Sequence, residues 1–222
     1  MITTLDAYKE ALAAAEDWAP GWDAVAAQFE QVYPGVNPPH FGTLITSRVM
    51  LGGDCYLDGY SIYPSSRGYQ HIVTFGMSAL YADPEAFGGE WSRWGYEMTM
   101  KLKADKPEDC MWALDMLSNL ARYTYTSKRW FEPNQYVGGD GSSINRDDHD
   151  SRISSLLIVN DTEVPGTDTL HGRLEFMQMV GITRPELEVI MADRGKIPTL
   201  IAALQQDYPY LETDMRRTKN YI

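Results

Sequence analysis

The sequence predicts an α+β fold in which one mixed β-sheet is flanked by helices. The clearest strand covers residues 94–102, where apolar and polar side chains alternate, and this alternation predicts one buried face and one solvent-facing face. Over 107–129 the period becomes helical, with an apolar stripe formed by Met111, Leu114, Leu117, Leu120 and Ala121. Strands and helices follow each other without strict alternation, which favours a mixed sheet over a regular doubly wound fold.

The other helices are predicted from apolar spacing and end signals. Residues 5–15 and 22–29 have helical spacing, and Tyr33-Pro34-Gly35 ends the second of these helices. Thr183 and Glu186 stand in capping-box order, which predicts a helix from there to about Asp193. Another helix is predicted over 198–205.

The other strands are predicted from runs of β-branched, aromatic and aliphatic residues. Residues 57–63 and 70–75 are rich in Tyr, Ile and Val, and residues 156–159 are continuously apolar. Residues 174–180 alternate, and Gly181 is expected to end that strand.

Length and composition predict a single domain over residues 1–222. The chain has 222 residues and 44% hydrophobic content, enough for one substantial core. No repeat and no long Gly-, Ser- or Pro-rich linker divides it. Cys55 and Cys110 match no metal or redox spacing, so both are expected to be reduced, partly buried thiols.

The charge disfavours nucleic acid as a direct partner. The formal net charge is −12, whereas binding to phosphates needs clustered cations. The first 35 residues are strongly acidic, which is typical either of a solvated helix face or of a surface that attracts basic proteins. No signal peptide and no membrane-length apolar window is found, so we expect a cytoplasmic location and no membrane contact.

Three segments invite a chemical interpretation, and each has a simpler alternative. Residues 147–150, Asp-Asp-His-Asp, could bind a divalent cation, but they lack the spacing that would converge on one point, so a solvated loop is favoured. Residues 138–143 are glycine-rich without the Lys-Ser or Lys-Thr of a phosphate loop, which favours a surface loop. His71 could pair with Asp58 for acid–base chemistry, or pack as a buried imidazole with a satisfied ring nitrogen, which we favour.

Three ordered blocks resemble the amino-terminal domain of the suppressor of fused family. The first has His71, Phe75-Gly76, Ser78 and Leu80-Tyr81; the second is Gly95-Tyr96-Glu97-Met98-Thr99; the third ends in Leu120-Ala121-Arg122-Tyr123. Further matches are Tyr33-Pro34, Leu51-Gly52-Gly53, residues 176–181 and Thr213-Asp214-Met215-Arg216-Arg217.

The resemblance implies a protein that holds another polypeptide without transforming a substrate. In animal members a second, carboxy-terminal domain closes with this one on an extended peptide from a transcription factor, and that second domain is expected to be absent here. Tyr123 corresponds to a peptide-holding tyrosine of the family, whereas Gln135 stands where the animal proteins have an acidic residue. Bacterial single-domain members are associated with immunity proteins that neutralise toxins.

The first hypothesis is therefore a non-enzymatic immunity-type protein that covers a toxin, expected to be basic, with loops near 131–150 and the acidic helical end. Trp91 and Trp130 are candidate surface anchors, although partial burial as capping aromatics is favoured for both. The alternative is a regulatory scaffold that adds an endogenous peptide or transcription factor to an open sheet edge; an enzyme of unknown reaction is third. No catalytic residue, metal or cofactor is expected. The predicted partner-binding residues are Tyr123, Trp130, Phe131, Gln135, Asp147, Asp148 and Asp150.

Overall fold

A mixed β-sheet organises the chain in the computed structural model, which describes residues 2–15, 17–43 and 56–222. The strands in these ranges are β1 (His40–Gly42), β2 (Gly59–Ser65), β3 (Tyr69–Phe75), β4 (Trp91–Leu102), β5 (Tyr136–Gly138), β6 (Ile153–Asn160), β7 (Thr167–Thr169) and β8 (Gly172–Thr183). The helices are α1 (Leu5–Ala14), α2 (Pro20–Val32), α3 (Met111–Ser127), α4 (Arg184–Ala192) and α5 (Ile197–Asp207). Short 3-10 turns, Pro107–Cys110 and Arg194–Lys196, precede α3 and α5. The predicted α+β class with a mixed, helix-flanked sheet is confirmed.

The strand order is β1-β2-β3-β4-β8-β6-β5, and β7 pairs with β8. β4 and β8 run parallel, and the other named neighbours in this sheet are antiparallel. Among the described residues, β1 and β5 therefore form the two ends of the sheet.

The helix α3 covers one face of the sheet, as its apolar stripe predicted. Leu114, Leu117 and Ala121 pack with the even-numbered residues of β4, which include Met98 and Met100. Met111, the first residue of the predicted stripe, is instead exposed. Cys110 is a free thiol and is fully buried in the same cluster, whereas Cys55 lies outside the described residues, as does the Leu51-Gly52-Gly53 match.

Two apolar clusters cover the opposite face. α2 packs Val25 and Phe29 against strands β2, β3 and β8, and α4 and α5 pack Leu187, Ile190 and Leu200 against β6 and β8. Gln178 of β8 is buried between the strand residues that belong to these two clusters.

The prediction of a solvent-facing side for β4 is wrong. Glu97, Thr99 and Lys101, the residues expected in water, are all fully buried. The sequence signal was misleading because these polar groups are satisfied inside the protein by hydrogen bonds instead of by solvent. A segment near the carboxyl end also covers the end of β4, where Thr213 N donates to Lys101 O at 2.7 Å and Lys103 N donates to Thr213 O at 2.9 Å.

The predicted stop at Gly181 is also wrong, since β8 continues to Thr183. Gly181 permits a close approach of other side chains: a Cβ at this position would lie 2.5 Å from both Ile153 Cγ2 and Thr213 Cγ2. Gly181 N donates to Thr213 Oγ1 at 2.8 Å. The strand then passes directly into α4 through the predicted capping box of Thr183 and Glu186, which is confirmed.

Candidate functional site

An open groove runs between the end of α3 and the edge strand β5. Its volume is about 780 Å³. Three structural parts line it, namely α3 with Asn119, Leu120 and Tyr123, the segment 128–132 with Gln135, and the β5 residues Tyr136, Val137 and Gly138. We call this surface the groove.

Four of the predicted site residues meet in the groove: Tyr123, Trp130, Phe131 and Gln135. Phe131 is buried, while the Tyr123 and Trp130 side chains are 43% and 55% exposed. The Tyr123 and Phe131 rings stack with centroids 5.8 Å apart. The groove therefore has a fixed aromatic floor and two aromatic side chains that a partner could still bury. Their role in binding remains a prediction.

The chain reversal after α3 places Trp130 beside the helix. The helix ends at Ser127, and its C-cap residue Lys128 adopts a left-handed conformation with φ 59° and donates its backbone N–H to Thr124 O. A second left-handed residue, Asn134 with φ 67°, turns the chain into the sheet, where Asn134 N donates to Ile158 O at 2.8 Å. These two turns fix segment 128–134 between α3 and β5.

The strand β5 is the edge of the sheet on the groove side. It pairs with β6 on one side, in the register Tyr136 with Leu157 and Gly138 with Ser155, and the groove lies along it. An edge strand presents a row of backbone N–H and C=O groups that can pair with another chain. The sequence prediction missed this strand and placed Gly138 in a surface loop. The missed signal was the β-prone pair Tyr136-Val137, which is too short to stand out.

Although Gln135 is not acidic, the neighbouring Glu132 supplies a carboxylate to the groove. The Gln135 side-chain amide donates to Glu132 Oε2 at 3.0 Å, and its carbonyl oxygen accepts from Glu132 N at 3.2 Å. Both residues line the groove. Glu132 was not among the predicted site residues, although it is three positions from Gln135.

The acidic residues predicted for the site, Asp147, Asp148 and Asp150, do not line one common concavity. Asp147 lines a second concavity of about 570 Å³, which shares Asn119, Leu120, Val137 and Gly138 with the groove. Asp148 lines a different depression, together with Lys103 and Asp214. Asp150 is exposed. Among the described residues, no group of His, Cys, Asp or Glu side chains is arranged to hold a metal ion.

Trp91 and Trp130, the two predicted surface tryptophans, line a third concavity, with Trp94 and Tyr96. Trp91 is 51% exposed. It precedes an irregularity in β4, where the register with β8 shifts between Trp91 and Tyr96 and Arg93 has φ 57°. This bulge re-aims the start of β4 towards the surface. The third concavity joins the groove through Trp130, Phe131 and Glu132.

The densest polar cluster is buried and lies on the other face of the sheet. Asp161 accepts hydrogen bonds from His71 Nε2 at 2.9 Å, Lys101 Nζ at 2.9 Å and Thr99 Oγ1 at 2.5 Å. Burial by itself would raise the pKa of Asp161, but His71, Lys101 and their hydrogen bonds hold it below its usual range. No local pattern around Asp161 predicted that it would become the partner of the buried His71 and Lys101 side chains.

His71 is fully buried, which confirms the packing interpretation over acid–base chemistry with Asp58. Its Nδ1 lies 2.9 Å from the Tyr33 hydroxyl and its Nε2 bonds to Asp161, so both ring nitrogens are occupied. Burial lowers the pKa of His71, although Asp161 opposes this shift. Asp58 instead accepts from the Tyr81 hydroxyl at 3.3 Å. The imidazole is therefore held in the interior by a hydrogen bond at each ring nitrogen.

Glu97 supports the turn that follows β3. Its carboxylate accepts from Thr74 Oγ1 at 2.7 Å, Gly76 N at 3.0 Å and Ser78 Oγ at 2.6 Å. Gly76 has φ 129°, a conformation that L side chains rarely adopt. Burial raises the pKa of Glu97, and the hydrogen bonds from Ser78, Thr74 and Gly76 oppose that rise. The first two sequence blocks that resemble the family, which contain Gly76 and Glu97, are thus joined through the buried Glu97 carboxylate.

None of the helices in the described part of the chain is long and apolar enough to cross a membrane.

Comparison with known proteins agrees with the sequence motifs. The family model described as "Suppressor of fused protein (SUFU)" matches residues 53–218. The suppressor of fused homologues of Homo sapiens and Mus musculus are each 31% identical over 214 residues, which covers 89% of this chain and 43% of each relative. The chain thus spans less than half the length of these curated relatives.

Solved structures share the fold. A crystal structure of the Sufu-Fu complex contains a chain with a TM-score of 0.76 and 25% identity, matched over 91% of this chain and 93% of that one. Drosophila suppressor of fused gives a TM-score of 0.76 with 26% identity over 91% of this chain and 51% of that one. A homologue from Neisseria gonorrhoeae is similar in fold alone, with a TM-score of 0.59, 15% identity, and coverage of 91% and 97%. By the family match and the identity to the human and mouse proteins, this chain belongs to the suppressor of fused family.

Proposed function

We propose that this protein is a non-enzymatic binding module that holds an extended segment of another protein along the edge of β5. The observation that carries the proposal is the strand β5, which ends the sheet in the described part of the chain and lies against a groove with exposed aromatic side chains. Strand addition gives affinity through backbone hydrogen bonds, and adjacent side-chain pockets give specificity. A relative of this chain has been crystallised in the Sufu-Fu complex, which supports a protein as the class of partner.

Trp130 and Tyr123 are the proposed anchors. Large aromatic side chains dominate the binding energy of protein interfaces when a partner excludes water around them. Phe131 lies beneath Tyr123 and is already buried, so it supports the surface and offers little new area to a partner. Burying Trp130 and Tyr123 costs few rotatable bonds, because each side chain has only two.

A pull-down with the full chain tests the proposal. The wild type, Trp130→Ala and Tyr123→Ala proteins are used as baits, and proteins recovered by the wild type alone are identified. A genuine partner is then reduced to overlapping peptides, and the binding peptide is synthesised with N-methyl groups at alternate residues. Methylation that removes the N–H groups facing β5 should abolish binding, while methylation of the other set should be tolerated. Equal tolerance of both sets would contradict strand addition.

A second candidate, supported by the net charge of −12, is neutralisation of a basic toxin in the cytoplasm. Opposite charge speeds encounter and fixes register between such partners. Asp23 and Glu30 lie on α2, which packs on the sheet face opposite to α3. An acidic contact through α2 is therefore spatially separate from the groove.

Charge reversal separates the two candidates. Replacing Asp23 and Glu30 with Lys should abolish capture of a basic toxin and leave a segment bound at β5 unaffected. Trp130→Ala should have the opposite pattern. Loss of binding in both variants would contradict the assignment of one surface to one partner.

A further inference from the structure

We infer that the concavity beyond the Gly138 end of β5 receives a Lys or Arg side chain from the bound protein segment. This concavity, called the acidic pocket, is the one of about 570 Å³ lined by Asp115, Asp140, Asp147, Ser154 and Ser155, among others. The inference rests on the proposed function and specifies which chemistry the partner must carry.

The position of the acidic pocket places it in the path of a bound segment. It shares Asn119 and Leu120 of α3 and Val137 and Gly138 of β5 with the groove. A segment that pairs with β5 extends along this edge of the sheet. The residues of the segment that continue beyond Gly138 reach the acidic pocket. The basic residue is therefore expected at one end of the bound segment, beyond the residues that pair with β5.

The charge of the pocket lining favours a cation. Asp115, Asp140 and Asp147 line it, and Arg146 is the basic residue among the described residues that do so. Asp140 accepts from Ser142 N at 3.0 Å and Ser142 Oγ at 2.6 Å, and these bonds lower the pKa of its carboxyl group. The carboxylates stand at the exposed rim, where they can attract a cation before it is bound.

A buried hydroxyl gives the independent sign of a ligand. Ser154 of β6 is only 4% exposed, lines the acidic pocket and lies on the strand face of Leu156, which packs with α3. Its neighbour Ser155 pairs with Ile182 and points to the opposite face, towards α4. The Oγ atom of Ser154 is buried without a hydrogen-bond partner among the described residues. Buried polar groups without partners are rare because each one costs free energy. An ammonium or guanidinium group has several donors and no acceptor, so it can donate to a seryl oxygen and to a rim carboxylate together.

The test uses the full chain and a phage-displayed library of random linear peptides of about twelve residues, roughly enough to span an edge strand and its ends. Peptides selected on the wild type are aligned and synthesised, and their affinity is measured by fluorescence anisotropy. The pocket variant carries Asp115→Asn, Asp140→Asn and Asp147→Asn. The control variant carries Glu85→Gln, Asp168→Asn and Glu188→Gln, which makes the same change in net charge at exposed positions outside the acidic pocket. Thermal unfolding of both variants checks that the fold is retained.

The expected result is enrichment of Lys or Arg at one end of the selected peptides. Affinity should fall about tenfold in the pocket variant, the range of one charge-assisted hydrogen bond, and less than twofold in the control variant. Peptides that lose affinity in Trp130→Ala, but show no basic enrichment and bind the pocket variant normally, would overturn the inference and leave the proposed function standing. A library that yields no peptide sensitive to Trp130→Ala would overturn both.

Discussion

The buried network around Asp161 and the groove beside β5 differ in what their residues can still bind. In the network, the polar atoms of His71, Lys101 and Thr99 converge on one carboxylate and are withdrawn from solvent. In the groove, Trp130 and Tyr123 remain exposed, and among the described residues the strand β5 pairs with another strand on one side only. The polar groups of the network are thus hydrogen-bonded to one another in the interior, whereas the aromatic side chains of the groove are open to solvent.

The largest effect is expected from Asp161→Ala, which should remove about 3 kcal/mol from the free energy of unfolding because it leaves Lys101 buried without its main counter-ion. Glu163, whose Oε2 lies 3.3 Å from Lys101 Nζ, limits the loss. Urea denaturation measures the difference.

The matched control is Asp168→Ala. The Asp168 side chain is 88% exposed, and its Oδ1 lies 3.4 Å from Arg173 Nη1. Its removal should therefore change the free energy of unfolding by less than about 0.5 kcal/mol. Similar losses in both variants would refute a structural role for the Asp161 network.

Trp130→Ala should weaken binding of a protein partner by about 2 kcal/mol, or roughly thirtyfold, while stability changes by less than about 0.5 kcal/mol. Met191→Ala is the control, since Met191 is 56% exposed but lies on α4, which packs on the sheet face opposite to α3. Isothermal titration with the identified partner measures affinity. Equal affinity of wild type and Trp130→Ala would exclude this aromatic anchor.

The pH dependence of stability should carry a contribution from His71. Burial lowers its pKa in the folded state, so below the unfolded pKa of about 6.5 the unfolded state binds more protons and the folded state loses stability. This contribution is fully present above about pH 6.5 and should be lost progressively as the pH falls towards about 5.5.

His71→Gln serves as the comparison, because it removes the titrating group. Urea denaturation at both pH values gives the slope for each protein. A slope that is the same in wild type and variant would mean that His71 does not titrate differently on unfolding.

The smallest effect is expected from Gln135→Glu. It replaces the amide that donates to Glu132 Oε2 with a second carboxylate, so a basic segment should bind about twofold to fivefold more tightly at low salt. The gain should disappear at about 0.5 M salt. An affinity that does not change at low salt would contradict a long-range electrostatic attraction between the groove and the basic residue of the bound segment.

Local signals in the sequence were sufficient for most of the framework. The stripe of Leu114, Leu117 and Ala121 predicted the helix on the sheet, and Thr183 with Glu186 predicted the start of α4. In the groove, Tyr123, Trp130, Phe131 and Gln135 were found through family motifs and neighbouring residues, and the structure places them together. β5 and Glu132 were missed, since a three-residue strand has too few positions to reveal a period.

By itself, the sequence determined the family, the α+β class and most helix and strand positions. It also determined the start of α4, which the capping box of Thr183 and Glu186 marks. Only the tertiary structure decided that Glu97, Thr99 and Lys101 are buried. It also decided that the carboxylate partner of His71 is Asp161 and not Asp58, and that β5 is an edge strand beside Trp130 among the described residues. The physical reason is that periodicity records contacts between near neighbours in the chain. The burial of a charge or the exposure of an edge depends on segments far away in the sequence, 60 residues in the case of Lys101 and Asp161.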